Sequence, residues 1–317
     1  MLIRALAALS LSLTLAACST NPATGRTQFN ALSREQEISI GEESTPELIQ
    51  EFGGEVPNSR VQAYVDEVGR RLVPYVEEEF RDLPWEFTMV NSGVINAFAL
   101  PGGKVFISRG MAEAMENEAM LAGVLGHEMG HVTARHVNDR FSQQMGIGLG
   151  ASVIGAVLGD GGTSGQLIGA ASEAAGSLVL LSFSREQEIE SDYLGMRYMT
   201  RAGYSPEGML QMMQVLLSES QGGGGLEFFS THPNPDTRID EINEHLAGEF
   251  SHTRNNPQFI LNSERYRSEM LAPLSQLPPP PDARQGHAPA HRTPLMGRIA
   301  LNDPTTWCAH CAAAAAH

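Results

Sequence analysis

Residues 121–137 read LAGVLGHEMGHVTARHV, and His127-Glu128-Met129-Gly130-His131 at their centre carries the decisive spacing. An α-helix turns by about 100° per residue, so His127 and His131 lie ~40° apart on one face. Two imidazoles one turn apart can share a Zn²⁺ ion at about 2.0–2.1 Å. Glu128 projects beside them, placed to act on a water at the metal rather than to bind the metal. Asn117 is a capping residue, and the run behind it predicts a helix continuing to about Arg140. His136 lies nine residues beyond His127, on the opposite face of that helix, and reads as a surface or core histidine rather than a ligand.

Two histidines do not complete a zinc site. The third ligand is sought in SREQEIESD, residues 184–192. Helical geometry places Glu188 and Asp192 on a face flanked by Ile189, Met196 and Met199, the side that turns inward. Glu186, Glu190 and Arg197 fall on the opposite, solvent side. A carboxylate turned inward needs a cation, because an unpaired buried charge is costly. Glu188 is therefore the expected ligand, and Asp192 the acceptor that orients a ligand imidazole.

Ahead of the metal helix the hydrophobic period shortens to two. WEFTMV (85–90), VINAFAL (94–100) and KVFIS (104–108) alternate as strands, and Leu100-Pro101-Gly102-Gly103 supplies the turn of a hairpin. Helices are expected between Ser33 and Phe80, over about 184–202 and 205–219, and after Asn234-Pro235. Gly222–Gly225 form a flexible break. Residues 145–181 are rich in Gly, Ala and Ser, and their two apolar halves are too short to span a membrane. They read as packed helices with small residues at their contacts, or as a lid or interfacial segment.

The N-terminus has the layout of an address. One arginine, Arg4, precedes an apolar run ending in Leu15-Ala16-Ala17-Cys18, which is similar to a bacterial lipobox whose cysteine is lipidated after cleavage. Ser19 after that cysteine favours, by the same resemblance, the periplasmic face of the outer membrane. The expected organisation is a lipoprotein signal peptide over 1–17, a tether over 18–33, a catalytic domain over 34–249, an extension over 250–281 and a disordered tail over 282–317. Pro278–Pro281 should run as polyproline. Cys308 and Cys311, a lone C-x-x-C pair in that tail, carry no assigned function. The chain holds 37 acidic against 21 basic side chains, with Lys104 its only lysine. That balance excludes a nucleic-acid partner, which needs clustered cations.

HEMGH followed by SREQEIESD resembles peptidase family M-48, the gluzincin-type metallopeptidases that include the CAAX prenyl endoproteases, HtpX, BepA and mitochondrial Oma. The resemblance spans roughly Glu35 to Leu246, and also takes in Asn96-Ala97-Phe98-Ala99-Leu100-Pro101-Gly102-Gly103 and Ser230-Thr231-His232-Pro233 with Arg238. It implies an α+β, mainly helical, zincin-like fold with a small sheet before the HExxH helix. It implies one zinc per chain on His127, His131 and Glu188, and Asp192 behind them. It also implies that His232 and Arg238 approach from the C-terminal side. His232 is then an oxyanion donor, or a fourth ligand that latches the enzyme while the Gly222–Gly225 run acts as its hinge.

The expected activity is endopeptidase cleavage of unfolded or misassembled envelope proteins, with Glu128 activating a zinc-bound water. Asn96, Ala97, Phe98 and Ala99 would offer a strand edge to an extended substrate, unless Phe98 is core. The alternative is a lipoprotein chaperone of outer-membrane assembly with latent proteolysis. The expected partners are protein substrates, the membrane through Cys18, and the outer-membrane assembly machinery.

Overall fold

Asn117 opens the central helix by accepting the Met120 amide at 3.0 Å, and everything else in the fold is arranged around that rod. The computed structural model describes residues 18–148, 182–221, 227–233 and 235–281. Residues 1–17, 149–181, 222–226, Asn234 and 282–317 lie outside these. So do the expected signal peptide, the expected lid or packed pair beyond Gly148, the expected hinge and the C-x-x-C pair.

A short hairpin of β1 (Cys18–Thr20) and β2 (Thr27–Phe29) comes first. Helices α1 (Arg34–Glu51), α2 (Ser59–Leu72) and α3 (Glu78–Arg81) follow. The three-stranded sheet comprises β3 (Glu86–Val90), β4 (Ala97–Leu100) and β5 (Lys104–Ser108), in the order β3-β5-β4. Then come α4 (Arg109–Glu113), the central α5 (Glu118–Thr133) and α6 (His136–Gly148). After the undescribed stretch, α7 (Arg185–Arg201) and α8 (Glu207–Gln221) are followed by α9 (Glu227–Thr231) and α10 (Pro235–Ala247). The chain is α+β and mainly helical, as its pattern implies. Among the described residues no helix is long and apolar enough to cross a membrane.

β5 pairs parallel with β3 and antiparallel with β4, through the expected hairpin turn. Gly102 sits in that turn at φ +79°, and a Cβ there would meet Ile38 Cα at 2.5 Å, so α1 packs where only glycine leaves room. The outer edge of β3 is closed by the Val56 amide and by Gln62, which both bond Met89. β4 is the other edge, and it lies alongside α5.

α5 is buried along its whole length. α2 covers it with an apolar face of Val61, Tyr64, Val65, Val68 and Leu72, all in the main core. α7 crosses α5 at backbone contact. A Cβ on Gly195 would lie 2.7 Å from the His127 nitrogen, and one on Gly130 would lie 3.0 Å from Ser191 Cα. Small residues on both helices thus remove the usual side-chain spacer at the crossing.

Two expectations are corrected. The central helix stops at Thr133 instead of running to Arg140, because Arg135 turns left-handed at φ +57° and a new helix starts at His136. Residues 18–33 are not a free tether: buried Asn21 and Gln28 donate to the carbonyls of Thr133 and Ala134 at 2.9 and 2.8 Å. These two amides satisfy carbonyls that the end of α5 leaves without helical partners. The segment after 249 packs on the same core. Tyr266, Met270 and Leu274 are buried in the main core, and Arg265 reaches the buried Glu118 carboxylate.

Candidate metal centre

Four side chains from three elements converge. His127 and His131 come from α5, Glu188 from the first turn of α7, and His232 from the end of α9, with their ligand atoms all within 4.8 Å of one another and all buried. Ser184 sets the start of α7 through a capping box with Gln187, which places Glu188 in the turn facing α5. His232 is brought in by its own helix and by the Phe183 amide, which donates to the Thr231 carbonyl at 2.8 Å. The rings of Phe228 and Phe183 flank it, Phe228 stacked at 4.4 Å.

The protons argue for a cation at the centre. His127 Nδ1 lies 2.8 Å from Asp192 Oδ1, and His131 Nδ1 lies 2.9 Å from His136 Nδ1. With protons on those Nδ1 atoms, both Nε2 atoms are bare lone pairs, yet they face each other at 3.0 Å. Glu188 Oε1 stands 3.4 Å from His131 Nε2, and Oε2 stands 3.6 Å from His127 Nε2. Glu128, Glu188 and Asp192 bring three buried carboxylates together, and one guanidinium, Arg238, reaches Glu188 and Asp192. A divalent cation would offset carboxylate charge that Arg238 leaves unmatched. The donor set of imidazole and carboxylate suits Zn²⁺, with His127, His131 and Glu188 as holders and His232 positioned as a fourth.

Burial pushes the Glu128 carboxyl above its ordinary pKa, against the pull of His232 and His127. Burial also raises Glu188, but the charges of His232 and Arg238 outweigh it and hold that carboxyl well below the usual range. Asp192 is held low in the same way, by Arg238. His232 moves up, since Glu188 and Glu128 overcome its desolvation. Burial keeps His131 well below the usual imidazole value.

Every residue expected near the metal from sequence is therefore in one cluster: His127, Glu128, His131, Glu188, Asp192, His232 and Arg238. The strand residues are partly different in role. Asn96 turns its side-chain oxygen to the Ala97 amide at 2.9 Å, and Phe98 packs on Phe52 and Phe106, with ring centroids at 4.8 and 4.9 Å. Phe98 is core. Two expectations fail on tertiary grounds. His136 is not on an opposite face but touches His131, because of the break at Arg135. Glu190 is not simply solvated, for it accepts from His136 at 2.9 Å and from Arg26 at 3.0 and 2.6 Å. Phe183, stacked on His131 at 3.8 Å, has no signal in the sequence beyond following an undescribed apolar stretch.

A mainly helical α+β domain in which an HExxH helix meets a second helix bearing a glutamate defines a zincin-type metallopeptidase. The chain belongs to peptidase family M48: residues 59–246 match the model of that family. It is similar to mitochondrial metalloendopeptidase OMA1 of Schizosaccharomyces pombe, 32% identical over 228 residues, covering 71% of this chain and 65% of that protein. It is also similar to the beta-barrel assembly-enhancing protease of Yersinia pestis, 30% identical over 234 residues, covering 69% of this chain and 46% of that protein. With the protein of the same name from Escherichia coli K12 the identity is 27% over 230 residues, again 69% and 46%. The chain thus spans from under half to about two thirds of these relatives.

Proposed function

We propose that this chain is a zinc-dependent endopeptidase that hydrolyses unfolded or misassembled envelope proteins. The observation that carries the reading is the Glu128 carboxylate. It is buried beside four side chains grouped so that they could hold a metal ion, and among the described residues neither oxygen has a hydrogen-bond partner. Leaving such a group unmatched costs about 1–3 kcal/mol, a cost that proteins accept where the group has chemistry to do.

Zinc held by His127, His131 and Glu188 would supply Lewis acidity, lowering the pKa of a water and polarising the scissile carbonyl. Glu128 takes the proton of the attacking water and returns it to the leaving amine, and its burial brings its pKa nearer the working pH. Asp192 and Arg238 hold His127 in place. β4 offers the edge to substrate. The Ser108 amide bonds the Asn96 carbonyl, so by the alternation of antiparallel pairs Ala97 and Ala99 direct their backbone groups away from β5, the Ala97 amide being held by Asn96 Oδ1. An extended chain pairs there through its backbone, which selects unfolded segments over folded ones.

The envelope setting rests on Leu15-Ala16-Ala17-Cys18, with a lipid at Cys18 as the anchor to the outer membrane. The outer-membrane assembly machinery is a partner by analogy with the relatives named for beta-barrel assembly. A second reading, a chaperone with latent proteolysis, is favoured by one observation: His232 lies 3.1 Å from Glu188 Oε1 and 3.3 Å from His127 Nε2, inside the metal cluster. There it would close the open position as a latch.

Cleavage of casein or unfolded porin by wild type, Glu128→Gln and His232→Ala tests both. Loss of cleavage in Glu128→Gln with zinc retained is expected, and cleavage equal to wild type sinks the mechanism. Cleavage by His232→Ala alone would favour the latch.

A further inference from the structure

The zinc-site reading above imposes a condition on two rings. His127 and His131 each bind through a bare Nε2, so each neutral ring carries its proton on Nδ1 and needs a buried acceptor there. For His127 the acceptor is Asp192. For His131 the atom in that place is not a carboxylate oxygen but Nδ1 of His136, at 2.9 Å.

Two Nδ1 atoms share a hydrogen bond only when one holds the proton and the other presents its lone pair. Glu190 decides which. Its Oε2 lies 2.9 Å from His136 Nε2 and, being an acceptor, requires the His136 proton to sit on Nε2. Arg26, in the turn between β1 and β2, grips both Glu190 oxygens and fixes the carboxylate in that orientation. Ser191 Oγ lies 3.3 Å from the same His136 lone pair, a longer contact compatible with this polarity. The opposite arrangement fails twice. It would put the His131 proton on the atom that faces the cation, and would point a bare His136 nitrogen at a carboxylate.

We infer that His136 is a positioning residue for the metal, a neutral imidazole whose Nδ1 lone pair locks His131 in its metal-binding tautomer, with the polarity set by Glu190 and by Arg26 of the N-terminal hairpin. Two different supports therefore hold the two histidines: a carboxylate behind His127, and a histidine–carboxylate–arginine chain behind His131. The second support recruits residues just after Cys18 into the metal site. The Arg26–Glu190 pair is partly exposed, with Arg26 45% accessible, so its removal has the smaller effect.

Zinc affinity by chelator competition on the full chain tests this with His136→Asn, His136→Gln, His136→Leu and Arg26→Gln. Asn places its oxygen at the position of Nδ1 and restores the acceptor; Gln reaches toward Nε2 and does not. Leu and Gln are expected to weaken zinc by about 10–100-fold, Asn to stay within a few-fold of wild type, and Arg26→Gln to lose a few-fold. Wild-type affinity in His136→Leu, or Asn no better than Gln, overturns the inference. Should the Leu variant fail to fold by circular dichroism, nitrogen-15 spectra of the zinc-loaded wild type decide. A His136 proton on Nε2 alone upholds the assignment, and one on Nδ1 overturns it. Absence of zinc from wild type would instead overturn the metal reading itself, and the two failures are distinguishable because the first is read on a wild type that holds zinc and the second on one that does not.

Discussion

Arg238 grips Asp192 in a two-pronged hydrogen bond, Nε to Oδ2 and Nη2 to Oδ1, both at 2.7 Å. Its Nη1 lies 2.7 Å from Glu188 Oε2. One guanidinium from α10 thus reaches both buried carboxylates of α7, one beside the metal position and one behind His127. The fork geometry is specific to arginine, since an ammonium donates from a single point.

Arg238→Lys should therefore keep the charge and lose the site. Zinc affinity is expected to fall by about 10–100-fold, with thermal stability falling less than in Arg238→Ala. The alanine variant leaves Asp192 buried without its partner, at a cost of about 3–5 kcal/mol. Zinc titration and thermal unfolding measure the two effects separately; a Lys variant with wild-type zinc affinity would show that the fork is dispensable.

Gly195→Ala should separate α7 from α5. The added methyl would sit 2.7 Å from the His127 nitrogen and 2.9 Å from the Gly126 carbonyl carbon, backbone atoms that cannot turn aside. Overpacking of this kind costs about 1–3 kcal/mol, and here the displaced helix carries Glu188 and Asp192. Both stability and zinc affinity are expected to fall together. Urea unfolding with a parallel zinc titration checks the coupling, and a loss of stability with zinc affinity intact would refute it.

Glu118 predicts the reverse dissociation. Its fully buried carboxylate accepts from Tyr64 at 2.7 Å, Tyr204 at 2.8 Å, Asn262 at 3.2 Å and Arg265 at 3.2 Å. It joins the start of α5 to the segment after 250. Glu118→Ala removes every one of these acceptors and should destabilise by about 3–5 kcal/mol. Metal affinity of the folded fraction should be unchanged, because the four convergent side chains are untouched. Isothermal zinc binding below the unfolding temperature tests that, and a matching loss of affinity would count against it.

Acid should unfold the zinc-free protein by way of its histidines. Burial lowers the folded-state pKa of His131 and His136 below 6.5. Below pH 6.5 the unfolded chain takes up protons that the folded one refuses, so stability falls as pH falls, by about 1.4 kcal/mol per pH unit for each such ring. Glu128 opposes them, because its raised pKa gives stability that is present below 4.5 and lost as pH rises through the folded value. His232, also raised, contributes fully below 6.5 and loses its contribution above it. The two rings give a fall on acidification between pH 6.5 and 4.5, which Glu37, Glu128 and Asp139, all raised by burial, reduce. Thermal unfolding in chelator across that range should show it; a flat or rising midpoint on acidification would exclude it.

Much of the centre was legible in the sequence because it depends on local periodicity alone. Helical spacing of four puts His127 and His131 on one face, and puts Glu188 and Asp192 on another, whatever the rest of the chain does. The strand-turn-strand pattern of 94–108 is equally local, and the structure repeats it. His232 and Arg238 were reached only through resemblance, since no spacing relates them to α5.

What tertiary structure alone decided begins at Arg135. Nothing in VTARHV marks a helix end, and a left-handed arginine costs on the order of 1 kcal/mol. The conformation is held by partners about a hundred residues away: Glu37, whose carboxylate pairs with the Arg135 guanidinium at 2.9 Å, and the Leu32 carbonyl. Those contacts turn His136 back under His131, draw Glu190 from the solvent side into a relay, and leave room for the N-terminal hairpin to cover the end of α5. Periodicity reports which side of a helix is apolar. It cannot report where a helix stops, or what lands on its polar side, when both depend on contacts made across the whole fold.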